Sequence, residues 1–390
     1  MPTPEPEPHA ARIGLVSDHL FPFAHGGAER VYRVLADAIA AENADLSYFT
    51  RQQWPDGASL GTAFAVESVW NGDVYDARGT RMIGAALRWS RALARALWRS
   101  DLDVLVVSAT PVFNVFVGAF VKLRHPRIVL VVDWLEIWPW AKWRSYSGAV
   151  AGTIAWVLQS LALRIGQVRL VNSATTLGRL PRRARRSAVQ LPLTSMAGEP
   201  LALPEKRGTD LLFVGRHIPD KNLPMLPGVI AALADEFLNL SAVVVGDGPD
   251  RSVAEARAAE LGVADRISFV GRVSDEELEQ QLSSARALFF PSVREGFGLV
   301  VCEAARHGTP SIVVDHPDNA AVALVCEGVN GAIAAEVSVA SLTAATRRAL
   351  TGGDTLQRSA KEWYDAEYSR GGFAEVARQL IALAGRSTAQ

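Results

Sequence analysis

Two glutamates separated by seven residues stand in the segment of the chain best suited to chemistry. Glu295 falls in a glycine-bearing loop after an apolar strand, and Glu303 falls on the helix predicted to follow it. Gly296 and Gly298 let backbone amides come close to a ligand, and the start of a helix favours an anion. Carboxylates accept hydrogen bonds from hydroxyl groups such as those of a sugar. The segment therefore suits a ligand that carries both phosphate and sugar, although a helix cap beside a surface glutamate is the alternative.

A second group of residues that could bind phosphate follows the apolar strand predicted at 211–214. Gly215 and Arg216 come directly after this strand, and Lys221 lies in the loop before the next helix. The carboxyl end of a strand that opens onto a helix is where α/β proteins bind phosphates. Arginine supplies a two-pronged donor and lysine a compact charge, so together they could neutralise a diphosphate. An ordinary solvated basic loop is the alternative.

The elements that must position these residues alternate between strand and helix in both halves of the chain. Strands that are apolar on both faces and separated by helices are typical of parallel sheets. A helix is predicted at 28–41, and a Pro-, Gly- and Ser-containing break at 191–206 separates the halves. The strands are predicted at 12–17, 104–107 and 128–132 in the first half, and at 211–214, 242–245, 267–270, 287–290 and 311–314 in the second.

This pattern predicts an α/β protein with two Rossmann-like domains. We place the N-terminal domain at 11–200 and the C-terminal domain, which holds both segments suited to phosphate, at 201–365. The first ten residues are rich in Pro and Glu, which predicts a disordered tail at 1–10. A C-terminal helix is predicted at 366–390.

The composition limits the class of protein. The chain has 390 residues, of which 49% are hydrophobic and 21% charged, a globular balance, and no apolar run reaches the ~20 residues of a membrane-spanning helix. Cys302 and Cys326 are the only cysteines, which excludes a disulfide framework and predicts buried thiols in a reducing cytosol. The N-terminus lacks a signal-peptide pattern, so we expect a cytoplasmic protein. The seven histidines show no metal-ligand spacing, and no metal site is predicted.

The charge is distributed unevenly along the chain. Residues 1–200 hold 22 Lys and Arg against 16 Asp and Glu, whereas the remainder holds 18 against 25. A helix predicted at 82–99 repeats arginine at three- and four-residue spacing on one face, at Arg88, Arg91, Arg95 and Arg99, and a second basic cluster lies at 182–186. Such a basic amphipathic helix is usable at an anionic membrane surface, here the inner face of the membrane. A packed helix and a solvated loop are the alternative, and no nucleic-acid partner is predicted.

These segments together resemble retaining glycosyltransferase family 4. The likeness is carried by 290–310 and supported in order and spacing by 213–223, 245–249, 269–275 and 327–331, with a weaker match in the glycine loop at 26–30. The resemblance implies the GT-B fold, in which two Rossmann-like domains face each other across a cleft and the C-terminal helix returns toward the N-terminal domain.

The family resemblance also implies a reaction and a set of site residues. A sugar would pass from a UDP- or GDP-linked donor to an acceptor hydroxyl that the sequence does not identify, with retention at the anomeric carbon and without a metal or other cofactor. Glu295 would hold hydroxyls of the donor sugar and Glu303 the ribose, while Arg216 and Lys221 would bind the diphosphate. The backbone near Arg272 and Val273 would meet the base. The implied donor site is completed by Gly26, Gly27, Gly296, Phe297, Gly298 and Leu299.

Two positions depart from the family pattern. Many relatives carry a histidine after the strand that ends near residue 107, where this chain has Ser108 and Thr110. Asp133 therefore becomes the catalytic candidate on the acceptor side, in addition to the candidates Glu295, Arg216 and Lys221. Its alternative role is to cap a helix after the strand. Ala323 stands where a glutamate is common. A sugar-nucleotide epimerase of the same fold and a non-catalytic sugar-nucleotide-binding protein remain the alternative functions.

Overall fold

The computed structural model describes residues 10–24, 27–74 and 82–388 and divides the chain into two compact α/β units. Unit 1 comprises the described residues up to Pro192 together with those from Gly372 onward, and unit 2 runs from Leu193 to Gly371. The tail predicted at 1–10 lies outside the described residues except for Ala10.

Unit 1 is built on a parallel sheet in which β1 pairs with both β2 and β4. The strand order is β3-β2-β1-β4-β5-β6-β7. Val104, Leu105 and Val106 on β4 are fully buried, as expected for a strand covered on both faces. The strands are β1 (Arg12–Val16), β2 (Asp45–Arg51), β3 (Ala65–Trp70), β4 (Val104–Ser108), β5 (Val129–Trp134), β6 (Val168–Val171) and β7 (Ala188–Gln190).

The helices of unit 1 connect these strands. They are α1 (Gly27–Ala41), α2 (Ile83–Trp98), α3 (Phe113–Arg124), α4 (Trp140–Ser147), α5 (Ala149–Ala162), α6 (Ala174–Arg179) and α7 (Arg182–Arg185). Side chains from α2, α3 and the end of α5 join side chains from β4 and β5 in one hydrophobic cluster. These three helices therefore cover the same face of the sheet.

Unit 2 carries a second parallel sheet with the strand order β10-β9-β8-β11-β12-β13. The strands are β8 (Thr209–Val214), β9 (Ala242–Val245), β10 (Ile267–Gly271), β11 (Ala285–Phe290), β12 (Ser311–Val314) and β13 (Gly331–Ala334). The helices are α8 (Leu226–Leu233), α9 (Asp250–Glu260), α10 (Asp275–Ser284), α11 (Leu299–Arg306) and α12 (Val339–Ser369), with a kink in α12 at Gly353, whose φ is 49°. Short 3-10 helices lie at Leu193–Ala197, Pro219–Lys221, Leu223–Met225, Ala264–Arg266 and Ala320–Leu324.

The chain returns to unit 1 as α13 (Phe373–Thr388), which packs against α1. Arg378 on α13 pairs with Glu42 at 3.0 Å. The limits of the two units differ by a few residues from those expected from the sequence. Leu193–Ala197 packs on α11 and α12, where the Tyr364 hydroxyl donates to the carbonyl of Thr194 at 3.4 Å, so this segment joins unit 2. α12 runs through residue 366 to Ser369, and Gly371 and Gly372 then separate it from α13.

Two further expectations concern single residues and the membrane. Both cysteines are free, but Cys302 is buried and Cys326 is exposed, so the prediction of two buried thiols is wrong for Cys326, which lies in the turn before β13. Across the ranges that the structure describes, no helix is long and apolar enough to cross a membrane.

Candidate functional site

The candidate site lies at the carboxyl edge of the unit 2 sheet. The chain runs from β8 outward to β9 and β10 on one side, and β11, β12 and β13 continue on the other side. The order therefore reverses between β8 and β11, and the crevice at such a switch point is where open α/β sheets bind ligands. Gly215 and Arg216 follow β8, and the loop that contains Glu295 follows β11. The structure thus brings together two segments that are 80 residues apart in the sequence.

Lys221 and Glu295 meet at this edge. The Lys221 ammonium pairs with Oε1 of Glu295, and the same ammonium lies 5.1 Å from the centre of the Phe290 ring. The two charged side chains are 16% and 14% exposed, so the ion pair is largely withdrawn from solvent without being sealed from a ligand. A negatively charged ligand could therefore take over the lysine, because both partners stay reachable.

The backbone around this ion pair is fixed by hydrogen bonds between loops. The Val293 amide donates to the carbonyl of Asp220 at 2.9 Å, and the Asn222 side-chain amide donates to the carbonyl of Pro291 at 2.9 Å. Asn222 itself has a φ of 52°, a left-handed conformation that asparagine tolerates better than most residues. The loop that carries Lys221 is thereby fixed to the loop after β11.

The loop after β11 is also tied to the segment after β12. The Glu295 amide donates to the carbonyl of Asp318 at 3.0 Å, and the Ala320 amide donates to the carbonyl of Glu295 at 3.1 Å. Both backbone groups of Glu295 are therefore satisfied, which leaves its position independent of what its carboxylate binds.

Gly298 turns this loop into α11 at a point where no other residue fits. Its φ is 96°, and a Cβ placed on it would lie 2.5 Å from the Cβ of Ala321. No side chain caps α11 at this residue, so the first amides of the helix are available to an anion. Phe297 beside it is buried, and Glu303 lies one helical turn further on, partly exposed. The loop and helix start predicted from the sequence to bring backbone amides close to a ligand are thus formed by Gly296, Gly298 and Leu299.

The side chain of Arg216 is exposed and makes no hydrogen bond or ion pair with the residues that the structure describes. Arg272 and Val273 follow β10, where Arg272 is exposed and Val273 packs against the core. β10 lies at the edge of the sheet, two strands from β8. These residues share the carboxyl edge with Lys221 and Glu295, but β9 lies between β10 and β8.

His217 is a residue of this edge that the sequence analysis missed. Its side chain is fully buried, and neither ring nitrogen has a hydrogen-bond partner. Its backbone amide donates to the carbonyl of Asp247 at 2.9 Å, and its carbonyl accepts from the amide of Asp250 at 3.0 Å. Burial lowers the pKa of His217, which favours the neutral ring. The signal in the sequence that could have indicated His217 is its position as a polar residue shortly after the end of β8.

His217 thereby joins the loops that follow β8 and β9. These loops approach so closely that a Cβ on Gly246 would lie 1.9 Å from the carbonyl oxygen of Gly215. Gly248 is in the same situation, since a Cβ on it would lie 2.4 Å from the carbonyl oxygen of His217.

Asp133 lies in unit 1, at the carboxyl end of β5 and opposite Ser108 of β4. It is 1% exposed, and the Tyr32 hydroxyl donates to its Oδ2 at 2.6 Å, whereas its buried Oδ1 has no partner. Burial raises the pKa of Asp133 to about 7, and the hydrogen bond from Tyr32 opposes part of this rise. The residue lies inside a strand, so it does not act as the helix cap considered as its alternative role.

A polar group at the end of β1 was also missed. Unit 1 has its own switch point between β1 and β4, and Asp18 and His19 follow β1 there. Nδ1 of His19 lies 3.0 Å from Oδ1 of Asp18 and 4.0 Å from Oε1 of Glu29. Gly27 begins α1 close to this group in the sequence, and Gly26 lies outside the described residues. Consecutive Ser, Asp and His after an apolar strand were the available signal.

The described ranges contain no group of three or more His, Cys, Asp or Glu side chains placed to hold a metal ion. The unit 2 edge carries the charged groups of Arg216, Lys221, Arg272 and Glu295, together with the ion pair between Arg294 and Asp220 at 3.5 Å.

Part of the chain matches a known protein family. Residues 201–366 match the family described as glycosyl transferases group 1. The 2-deoxystreptamine glucosyltransferase of Streptomyces kanamyceticus is 37% identical over 108 residues, 28% of each chain. The D-inositol 3-phosphate glycosyltransferase of Streptomyces avermitilis is 38% identical over 108 residues, 25% of this chain and 23% of that protein. The chain thus matches only about a quarter of the length of these relatives.

Solved structures show the same fold over nearly the whole chain. Sucrose-phosphate synthase from Thermosynechococcus elongatus superposes with a TM-score of 0.71 at 20% identity and covers 97% of this chain and 99% of that one. Anabaena HepE, solved in complex with UDP and glucose, superposes with a TM-score of 0.64 at 17% identity over 95% and 98% of the two chains. The protein therefore has the two-domain GT-B fold. The family match and the shared fold support the resemblance of this chain to GT-B glycosyltransferases. They are consistent with glycosyltransferase family 4.

Proposed function

We propose that this protein transfers a sugar from a nucleoside diphosphate sugar to an acceptor hydroxyl. The observation that carries the proposal is the pairing of Lys221 with Glu295 beside the uncapped start of α11, at the switch point of the unit 2 sheet. This arrangement places a cation, uncapped backbone amides and a carboxylate that accepts hydrogen bonds along the carboxyl edge of the unit 2 sheet. A sugar joined to a diphosphate needs all three, because its phosphates are anionic and its hydroxyls donate hydrogen bonds.

Each residue of the edge has a role in this proposal. Arg216 and Lys221 hold the diphosphate, assisted by the amides at Gly298 and Leu299. Glu295 accepts hydrogen bonds from the donor sugar once the diphosphate engages Lys221, and Glu303 accepts from the ribose. Arg272 and Val273 border the base through their backbone.

The main chemical demand is the charge that develops on the departing diphosphate. Preorganised donors stabilise such charge without the cost of reorganising solvent. Arg216 and Lys221 supply two positive charges, so the proposed reaction needs no metal ion. The bond from the anomeric carbon to the diphosphate breaks while a bond to the acceptor oxygen forms on the same face. The acceptor proton passes to the diphosphate, and the configuration is retained.

UDP-linked hexoses are the first donors to test. HepE has been solved with UDP and with UDP-glucose, and the relatives found by sequence comparison include a glucosyltransferase. GDP-linked sugars are the second class. Binding of the acceptor is assigned to unit 1, where the buried Asp133 is suited to positioning Tyr32 and Ser108 rather than to touching the acceptor itself.

A thermal-shift screen with UDP and GDP, followed by turnover assays, tests the proposal. A ligand that binds only the folded protein raises its melting temperature by mass action. We expect one nucleoside diphosphate to stabilise the protein, and we expect transfer to continue in EDTA. Loss of transfer in EDTA with recovery in magnesium or manganese would contradict the assignment of charge neutralisation to Arg216 and Lys221.

An incubation with donor alone separates this activity from its rivals. Conversion of the donor into its epimer without any acceptor would identify an epimerase. Binding without transfer to any member of a broad panel of glycan, lipid-linked and small-molecule acceptors would favour a sugar-nucleotide-binding protein.

A further inference from the structure

One face of unit 1 exposes an unusual number of large apolar side chains. The outward sides of α2, α3 and α5 carry them, and α5 contains no charged residue over its 14 positions. Val150 on α5 is 75% exposed and Leu123 on α3 is 82% exposed. We define the outer face of unit 1 as Ile83, Leu87, Trp98, Phe120, Leu123, Val150, Ile154, Trp156, Val157 and Leu161, all of which are exposed.

The three helices present these residues to the same side of the molecule. Their inward side chains, including Trp89 of α2, Val117 of α3 and Ala162 of α5, belong to one cluster beneath them. Trp98 and Phe120 also stack across α2 and α3, with ring centres 4.9 Å apart. Helices that cover one face of a sheet expose their opposite sides together, so the outer face is one apolar surface rather than scattered residues.

The apolar side chains of α2 divide between the core and the surface. Ile83, Leu87 and Trp98 are exposed and do not pack into the core. The core is reached instead by Trp89 and Leu93. The apolar side chains that remain outside lie on the same helix as Arg88, Arg91, Arg95 and Arg99, all of which are exposed.

Positive charge predominates in the part of the chain that forms this apolar surface. Residues 82–190 hold 16 Lys and Arg against four Asp and Glu. Of the four acids, Asp133 is buried, and Asp101 and Asp103 both pair with Arg12. Few negative charges are therefore left to offset the arginines.

Aromatic rings and cations also meet at the start of α4. The Lys142 ammonium lies 4.9 Å from the centre of the Trp138 ring, and the Arg144 guanidinium lies 4.4 Å from the centre of the Trp140 ring. Tryptophan and long basic side chains suit the level of lipid headgroups, because each combines an apolar body with a polar tip.

We propose that the outer face of unit 1 docks on an anionic phospholipid surface, with α5 and the exposed ends of α2 and α3 entering the headgroup boundary. The arginines of α2 then lie at the phosphate level. Apolar burial and charge act together in such binding, and neither suffices at physiological salt. This inference rests on the surface of unit 1 and does not depend on the proposed transfer reaction.

Flotation with defined vesicles tests the docking. We expect the wild-type protein to float with vesicles of equimolar phosphatidylglycerol and phosphatidylcholine, to stay behind with pure phosphatidylcholine, and to lose binding as salt is raised. The variant Val150→Ser, Ile154→Ser, Val157→Ser and the variant Arg88→Gln, Arg91→Gln, Arg95→Gln, Arg99→Gln should each bind at least about tenfold more weakly.

Matched variants on unit 2 control for exposure and charge. Leu238→Ser, Val253→Ser, Val329→Ser removes three equally exposed apolar side chains, and Arg347→Gln, Arg348→Gln, Arg358→Gln, Arg370→Gln removes the same charge. Both should bind vesicles as the wild type does. Melting temperature and nucleoside diphosphate binding should be unchanged in the two unit 1 variants, which shows that they remain folded.

Three outcomes would overturn the docking proposal. The first is a wild-type protein that ignores anionic vesicles or binds neutral ones equally well. The second is a serine variant that floats like the wild type, since apolar insertion would then play no part. The third is a dimer in sedimentation velocity that the serine variant converts to a monomer without any lipid binding, because a second copy would then be the occupant of the face.

Discussion

At the scale of single residues, the carboxyl of Asp133 combines full burial with only one hydrogen bond. Tyr32 satisfies Oδ2, and Oδ1 has no partner. The charged form is therefore poorly compensated, and the pKa rises to about 7. The pKa of Asp133 is therefore about 7 in the folded protein and about 4 in the unfolded chain. Between about pH 4 and pH 7 the folded protein keeps the proton on this carboxyl, whereas the unfolded chain has lost it. Stability consequently falls as pH rises through this range.

Asp133→Asn should raise the free energy of unfolding most at pH 8 and least at pH 5. Asparagine keeps the shape and can still accept from Tyr32, but it carries no charge to bury. The gain at pH 8 is bounded by about 1.4 kcal/mol per unit of pKa shift, a few kcal/mol in all. Denaturant unfolding at both pH values measures it. Asp73→Asn, at a position whose side chain is 91% exposed, is the control, with no expected pH-dependent gain. An equal effect of Asp133→Asn at pH 5 and pH 8 would contradict the buried charge.

The sequence predicted some of the site residues better than others. Glu295 and Lys221 are recognisable because their charge and spacing suggest phosphate chemistry, and the structure places them in contact. His217 and Asn222 were missed because their contributions run through loop contacts, backbone angles and burial. No charge pattern in the sequence reports these features.

At the scale of elements, the proposed phosphate binding depends on the turn from β11 into α11. Gly298→Ala should destabilise the protein by more than the cost of a left-handed residue alone. Its Cβ would lie 2.5 Å from Ala321, and its φ of 96° is unfavourable for alanine. We expect a loss of about 2 to 4 kcal/mol in the free energy of unfolding, together with weaker nucleoside diphosphate binding.

Gly262→Ala is the matched variant for this test. Gly262 also has a positive φ, 67°, but a Cβ there would meet nothing within 4 Å. Its expected cost is about 1 to 2 kcal/mol, from the backbone conformation alone. Equal losses in the two variants would show that Ala321 does not restrict this turn.

Strands were predicted where apolar residues run without interruption. β9 and β12 agree with their predicted limits, since both are short apolar runs. β2, β3, β6, β7 and β13 were missed. β3 contains Glu67 and Ser68 at the edge of its sheet, and β6 contains Arg169, so neither shows the apolar run typical of a central strand. Tertiary pairing decides these strands, and local sequence does not.

At the scale of the whole molecule, the chain separates two kinds of surface chemistry. Unit 2 carries the edge that we propose binds phosphate, whereas unit 1 carries the basic and apolar outer face. The charge imbalance between the halves and the amphipathic character of α2 were visible in the sequence, but the apolar surface that α3 and α5 add to the outer face was not. A periodic pattern shows which residues share a side of a helix, and only the fold shows which side is covered.

Calorimetric titration of the nucleoside diphosphate selected by the screen tests the central claim most directly. Removal of a hydrogen bond to a charged group costs about 1.5 to 3 kcal/mol, roughly 10- to 150-fold in affinity. We predict that Glu303→Ala binds more weakly by this factor. Glu295→Ala should bind nearly as the wild type does and should lose turnover, while Glu276→Ala, an exposed carboxylate on α10, should change neither. Wild-type binding and turnover in both Glu303→Ala and Glu295→Ala would contradict the assignment of the site.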